Sequence, residues 1–172
     1  MAEEPLAFSD LLAGYGTTTI GEGMDVESVS ALLKLRAEDG SAAWSVRSGG
    51  APLTVEELLG VLEGLTTSIR QTLTTAWKRA TNPEPPSAST GDQVAPVPIP
   101  FSDLLAGMET VGVGDEYLIE SVFAVIKARR PDGAPVWYVR SAEMKLSSEE
   151  LLGALDGYAA TVRQDLATSW KW

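Results

Sequence analysis

Histidine and cysteine are both missing from the 172 residues of the chain. Their absence removes the commonest general base, the thiolate nucleophile, the Ser-His-Asp and Cys-His arrangements, and most transition-metal ligand sets. Carboxylates are what is left for acid–base work. The pair Glu56-Glu57 and its later counterpart Glu149-Glu150 open long apolar-periodic segments. In the first helical turn a carboxylate is stabilised by the free backbone N–H groups and the helix dipole, so these pairs read as helix starts rather than as a catalytic dyad. Asp10 and Asp103 each follow a serine at a helix start and read as capping groups rather than metal ligands. The glycine-rich stretch "GYGTTTIGEG" at 14–23 has the composition of a phosphate-binding loop. It lacks the Gly-Lys-Ser/Thr ending that places a lysine on the phosphates, and no clear strand precedes it, so it reads as a plain loop. The residue types therefore predict a protein that is not an enzyme, with no cofactor and no metal.

Aromatic and arginine side chains are the other groups able to carry function. Two of the five tryptophans, Trp44 and Trp137, are each followed three residues later by an arginine, Arg47 and Arg140. Tryptophan and arginine are the side chains that most often anchor protein interfaces. The two arginines can equally pair with acidic groups elsewhere in the fold. Trp172, the last residue, stands where the first half of the chain has Arg79. Such a tryptophan either packs back on the fold or meets a partner.

The net charge of −11 argues against direct nucleic-acid binding, which needs cations to neutralise phosphates, and against docking on anionic lipid. No apolar run reaches the roughly 18 residues of a membrane span, and the first ten residues lack the basic and apolar regions of a signal peptide. With no cysteine to suggest disulfides, a cytoplasmic location is expected. The Ala/Gly/Val/Leu-rich, lysine-poor composition suits a high-GC bacterium or its phage.

What must position these side chains is written twice. Shifted by 93 residues, 8–79 aligns with 101–172 without a gap, and 35 of 72 positions are identical. "FSDLLAG" recurs letter for letter at 8–14 and 101–107. The chain divides into a first repeat over 1–79, a linker over 80–100 holding six prolines, and a second repeat over 101–172. A proline-rich linker is extended at about 3.1 Å per residue and spans roughly 60 Å. Its "PVPIP" is also a weak candidate for a PxxP-type docking ligand.

Each repeat reads α-β-β-α. "FSDLLAG" predicts a short helix capped by Ser9 or Asp10 and ended by Gly14, with Phe8 and Phe101 packed under the long helix of their own repeat. Alternation of Val29, Ala31, Leu33 and Leu35 with Ser30, Leu32, Lys34 and Arg36 predicts a half-buried strand. Its counterpart sets Val122, Ala124, Ile126 and Ala128 against Phe123, Val125, Lys127 and Arg129. Asp39-Gly40 and Asp132-Gly133 supply turns into second strands through Trp44 and Trp137. Thr54 with Glu57, and Ser147 with Glu150, are capping boxes at the start of amphipathic helices of about 24 residues. Gly60 with Gly64, and Gly153 with Gly157, lie one turn apart on one face of each helix, where they either admit another backbone or are simply tolerated.

A repeat of this size with a two-stranded sheet is marginal alone. The expected fold is therefore α+β. The two α-β-β-α repeats pack as a pseudo-twofold intramolecular dimer, with a four-stranded antiparallel sheet covered on one face by two long helices. Two beads on a flexible string are the alternative, and further homo-oligomerisation through sheet face or edge is open. Functionally, the expectation is a non-enzymatic interaction module, an adaptor, chaperone or inhibitor, whose partner is another protein. Its docking candidates are Phe123, Val125, Tyr138, Arg140, Trp172 and Arg47, with an exposed apolar patch around Phe123, Val125 and Tyr138. Two other readings remain. One is an acidic mimic of nucleic acid that inhibits a DNA-binding protein, and the other is a small-ligand binder at the pseudo-twofold interface.

Overall fold

Alternation, turn chemistry and capping fix the main elements where the sequence puts them. The computed structural model describes residues 5–81, 98–142 and 146–169. Strands β1 (Pro5–Ala7), β2 (Gly16–Thr18), β3 (Asp25–Ala37) and β4 (Ala42–Gly50) belong to the first repeat, with the single helical turn α1 (Phe8–Leu11) and the long helix α2 (Val55–Thr81). The second repeat gives β5 (Pro98–Pro100), α3 (Phe101–Leu104), β6 (Glu109–Val111), β7 (Tyr117–Arg129), β8 (Pro135–Ala142) and α4 (Ser148–Ser169). The protein is α+β: a four-stranded antiparallel sheet in the order β4-β3-β7-β8, and two long helices, α2 and α4, packed together.

The chain forms two compact units that run across the repeats rather than along them. Met1–Pro52 with Ala95–Lys145 form a sheet unit, and Leu53–Val94 with Leu146–Trp172 form a helix unit. Each contains matching segments of both repeats.

In the sheet unit the two hairpins join through β3 and β7, and the register is symmetric. Ala31 pairs with Ala124, its own counterpart in the other repeat. Ser30 then pairs with Val125, and Leu32 with Phe123. The ladder carries two irregularities, one between Val26 and Ser28 and one opposite the step from Lys34 to Leu35. They skip Glu27 and Glu120, which are counterparts. A bulge re-aims the extra side chain, and here each carboxylate meets an arginine of the other repeat: Glu27 accepts from Arg129 at 2.6 Å, and Glu120 from Arg36.

One face of the sheet carries Val29, Ala31, Leu33, Leu35, Val122, Ala124 and Ile126, buried with Phe8, Leu12, Phe101 and Leu105. Phe8 and Phe101 thus pack among sheet residues of both repeats, not under the long helix of their own repeat as their sequence position suggested. Gly49 makes room for this. A Cβ there would sit 2.7 Å from the Phe8 ring and 2.8 Å from the Glu109 carbonyl oxygen. The expectation of half-buried central strands also needs correction. Ser28 through Leu33 and Ser121 through Ile126 are buried without interruption, so both faces of β3 and β7 are covered along their middles. Polar residues on the second face are small serines, which is how it stays buried.

Four three-residue strands escape the α-β-β-α reading. β1 pairs with β6 and β2 with β5, so the segments flanking each short helix are exchanged between repeats. The Phe8 N–H donates to the Met108 carbonyl and the Phe101 N–H to the Tyr15 carbonyl, both at 2.9 Å. This explains why the short helices start at Phe8 and Phe101 after Ala7 and Pro100, with no side-chain cap from Ser9 or Asp10. The last three residues of "PVPIP" form β5, and so serve the fold. Prolines fit a short two-stranded ribbon because only one edge of it needs donors.

In the helix unit, α2 buries Leu62 and Thr66, and α4 buries Leu151, Leu155, Ala159 and Val162. Both capping boxes form. The Glu57 N–H donates to Thr54 Oγ1 at 3.2 Å and the Thr54 N–H to Glu57 Oε2 at 3.1 Å; Ser147 and Glu150 repeat this at 3.1 and 3.0 Å. Arg70 donates to Asp156 at 2.8 Å and Arg163 to Glu63 at 2.7 Å, again counterparts exchanged. Gly60, Gly64, Gly153 and Gly157 have nothing within 4 Å of where a Cβ would stand, so they are tolerated on open helix surface and admit no neighbouring backbone.

Candidate functional site

The two arginines that follow the strand tryptophans do not lie beside them. A strand turns successive side chains to opposite faces, so residues three apart point in opposite directions. Arg47 reaches the other repeat within the sheet unit and donates from Nη2 to the Gly112 carbonyl at 2.9 Å and from Nε at 3.3 Å. Its Nη1 is held by Ser45 Oγ at 2.7 Å and the Val46 carbonyl at 2.9 Å. Arg140 does the same in reverse, from Nε to the Thr18 carbonyl at 2.9 Å and from Nη2 to the Thr19 carbonyl at 2.7 Å. Thr19 and Gly112 are counterparts. The acceptors are backbone carbonyls, not acidic side chains. Each guanidinium clamps the loop after a short exchanged strand to the sheet edge, where β6 lies against β4 and β2 against β8. Tyr138 is half-buried, with the Arg140 guanidinium 5.1 Å from its ring centroid.

The apolar patch expected around Phe123, Val125 and Tyr138 is not an exposed surface. Phe123 and Val125 retain 5% and 3% of their accessible surface. Their divergence from Leu32 and Ser30 is absorbed between the paired strands: the smaller Ser30 faces Val125, and Leu32 faces Phe123. Trp172 lies outside the described residues.

The sheet instead presents a different set. Directly paired residues share a face. Trp44 pairs with Lys34 and Leu118 pairs with Arg36, and Lys34 and Arg36 lie on the same side of β3. Arg36 and Leu118 are thus direct partners, and Trp44, opposite Lys34, lies two residues along on the same face; Trp44 is 39% and Leu118 66% exposed. Arg36 is ion-paired with Glu120, leaving about half its side chain in contact with solvent. At the symmetric end the counterparts are Trp137, Arg129 and Asp25. There Trp137 is covered by Lys127, whose Nζ lies 5.7 Å from the ring centroid, and the position of Leu118 is taken by an acid. Both ends carry charge, but one holds an exposed leucine where the other holds an aspartate. The sequence signal is the mismatch of Asp25 with Leu118, but strand register is needed to place Leu118 on the same face as Trp44.

On the helix unit, Trp77 is exposed near the C-terminal end of α2. Thr67, Arg70, Thr74 and Lys78 of α2 are among the described residues that line a shallow groove. Among the described residues no group of three or more acidic side chains is placed to hold a metal ion, and no helix is long and apolar enough to cross a membrane. Asp39 lies in the β3–β4 turn. Hydrogen bonds from Ser41, side chain first and then backbone, hold its carboxyl below the usual aspartate value. Comparison with protein-family models, with curated proteins and with solved structures returns no match.

Proposed function

We propose that the protein is a non-enzymatic interaction module acting in the cytoplasm, and that it docks another protein on the Trp44 end of its sheet. The observation that carries this reading is the face shared by Trp44, Arg36 and Leu118 at one end of the sheet. It joins an exposed indole, a guanidinium and an exposed leucine on one ordered face, the combination that anchors protein interfaces. A lone exposed leucine needs no explanation, but a leucine and a tryptophan flanking an arginine on regular strands make a patch. The pseudo-symmetric end lacks the leucine, so the molecule offers one such surface rather than two. The arginine and the surrounding lysine suit a partner with carboxylates at the rim of an apolar contact. The finer architecture fits the same proposal: the repeats act as one pseudo-twofold unit whose ends have diverged, one to meet a partner.

The test is an affinity capture from lysate of the native host with the wild type and with Trp44→Ser/Leu118→Ser. Circular dichroism of the two proteins should be indistinguishable, since both side chains are exposed. The wild type should retain a partner that the variant loses at least tenfold. Capture of the same partner equally by both would refute this face.

A further inference from the structure

We propose that each repeat carries a complete, self-complementary interface, so that the surface buried between repeats also fits a second copy of the same repeat supplied by another chain. This goes beyond the docking face and rests on different residues. Both halves of each exchanged contact are present within each repeat. Arg36 and Glu27 lie in the first, and Arg129 and Glu120 in the second, although each ion pair forms between repeats. Arg70 and Glu63, and Arg163 and Asp156, are arranged likewise. Arg47 and the Thr19 carbonyl belong to one repeat, Arg140 and the Gly112 carbonyl to the other. So do the Phe8 N–H with the Tyr15 carbonyl, and the Phe101 N–H with the Met108 carbonyl. A surface that meets its own copy through an exchanged set of contacts is the isologous interface of a twofold homodimer. Here the two protomers are joined in one chain.

Two things keep the pairing within the chain. The linker holds the repeats at an effective concentration on the order of 1 mM. The residues beside Ala31 and Ala124 discriminate as well. Within the chain Ser30 faces Val125 and Leu32 faces Phe123, so each pair draws one residue from the smaller set and one from the larger. Pairing first repeat with first repeat would oppose Ser30 and Leu32 twice, and pairing second with second would oppose Phe123 and Val125 twice. Discrimination of this kind penalises the wrong partner rather than improving the right one.

Charge inversion in the first repeat alone should reverse the preference. In the full chain carrying Glu27→Arg, Arg36→Glu, Glu63→Arg and Arg70→Glu, the four ion pairs that these residues make between repeats become like-charged, while Lys34 keeps its pairing with Glu120. Across two chains, first repeat to first and second to second, they are opposite again. The light-scattering mass in low-salt buffer, at about 0.1 mM and so below the linker's effective concentration, should rise from the 18.2 kDa of the wild-type monomer to twice that value. Adding Glu120→Arg, Arg129→Glu, Asp156→Arg and Arg163→Glu restores opposite charges within the chain and should return the mass to that of the monomer. The proposal is overturned if the four-substitution protein stays monomeric with a wild-type circular dichroism spectrum. It is equally overturned if that protein fails to fold while the eight-substitution protein folds.

Discussion

Arg47 and Arg140 show how a residue's role follows from what its donors reach. Both are half-buried, and each places three guanidinium nitrogens on oxygen acceptors. Charge-assisted hydrogen bonds of this kind contribute about 1.5–3 kcal/mol, and the carbonyls lose their partners when the arginine goes. Arg47→Ala should therefore destabilise the protein by about 2 kcal/mol in urea unfolding. Arg36→Ala removes an exposed pair and should cost under about 1 kcal/mol. Equal losses would contradict the assignment of Arg47 as a clamp. The equal spacing of these arginines from their tryptophans was visible in the sequence. Their acceptors were not, because a backbone carbonyl carries no residue type. Asp39 offers a second check. Its carboxyl titrates below the usual aspartate value, so its contribution to stability is full above the unfolded pKa of about 3.9 and is lost as pH falls through the lower folded value. A carboxyl titration followed by NMR should place Asp39 below the usual aspartate value. In Ser41→Ala, Asp39 should move back up.

Among the elements, those held by local rules were legible and those held by partners were not. The capping boxes, the long helices and the hairpins are written in contiguous sequence, and all form. The three-residue strands are too short to show a period, and they pair with segments of the other repeat, so nothing near them in the sequence marks them. The buried second face of β3 and β7 was misread for a related reason: serine reads as polar, but it is small enough to be enclosed. The glycines divide by environment in a way that can be measured. Gly60 and Gly64 stand on open helix surface, where alanine relieves the backbone entropy cost. Gly60→Ala/Gly64→Ala should raise stability by about 1–2 kcal/mol, seen as a higher urea midpoint with an unchanged slope. Gly49→Ala must displace the Phe8 ring or the Glu109 carbonyl and should lower stability by about 1–3 kcal/mol. An equal response at the two places would mean that the Phe8 ring is not seated against Gly49.

At the scale of the whole molecule, the duplication is the fact from which the rest follows. Seeing 35 of 72 positions repeat without a gap predicts two similar halves, and the marginal size of each predicts that they need one another. How they combine was only partly readable. A four-stranded antiparallel sheet was expected and forms. The exchange of short strands, the reciprocal arginine clamps and the crossed ion pairs of α2 and α4 depend on register, which the sequence does not print. In the sheet unit and in the helix unit alike, residues of one repeat are held by residues of the other, so the account stands on the repeats being a single cooperative unit rather than two beads. Inserting a protease site between Ser87 and Ala88 and cleaving it tests this most directly. The nicked protein should elute from a sizing column at the volume of the intact 18.2 kDa chain and unfold in one transition. Two separated fragments of half that mass, each with its own secondary structure, would contradict the account.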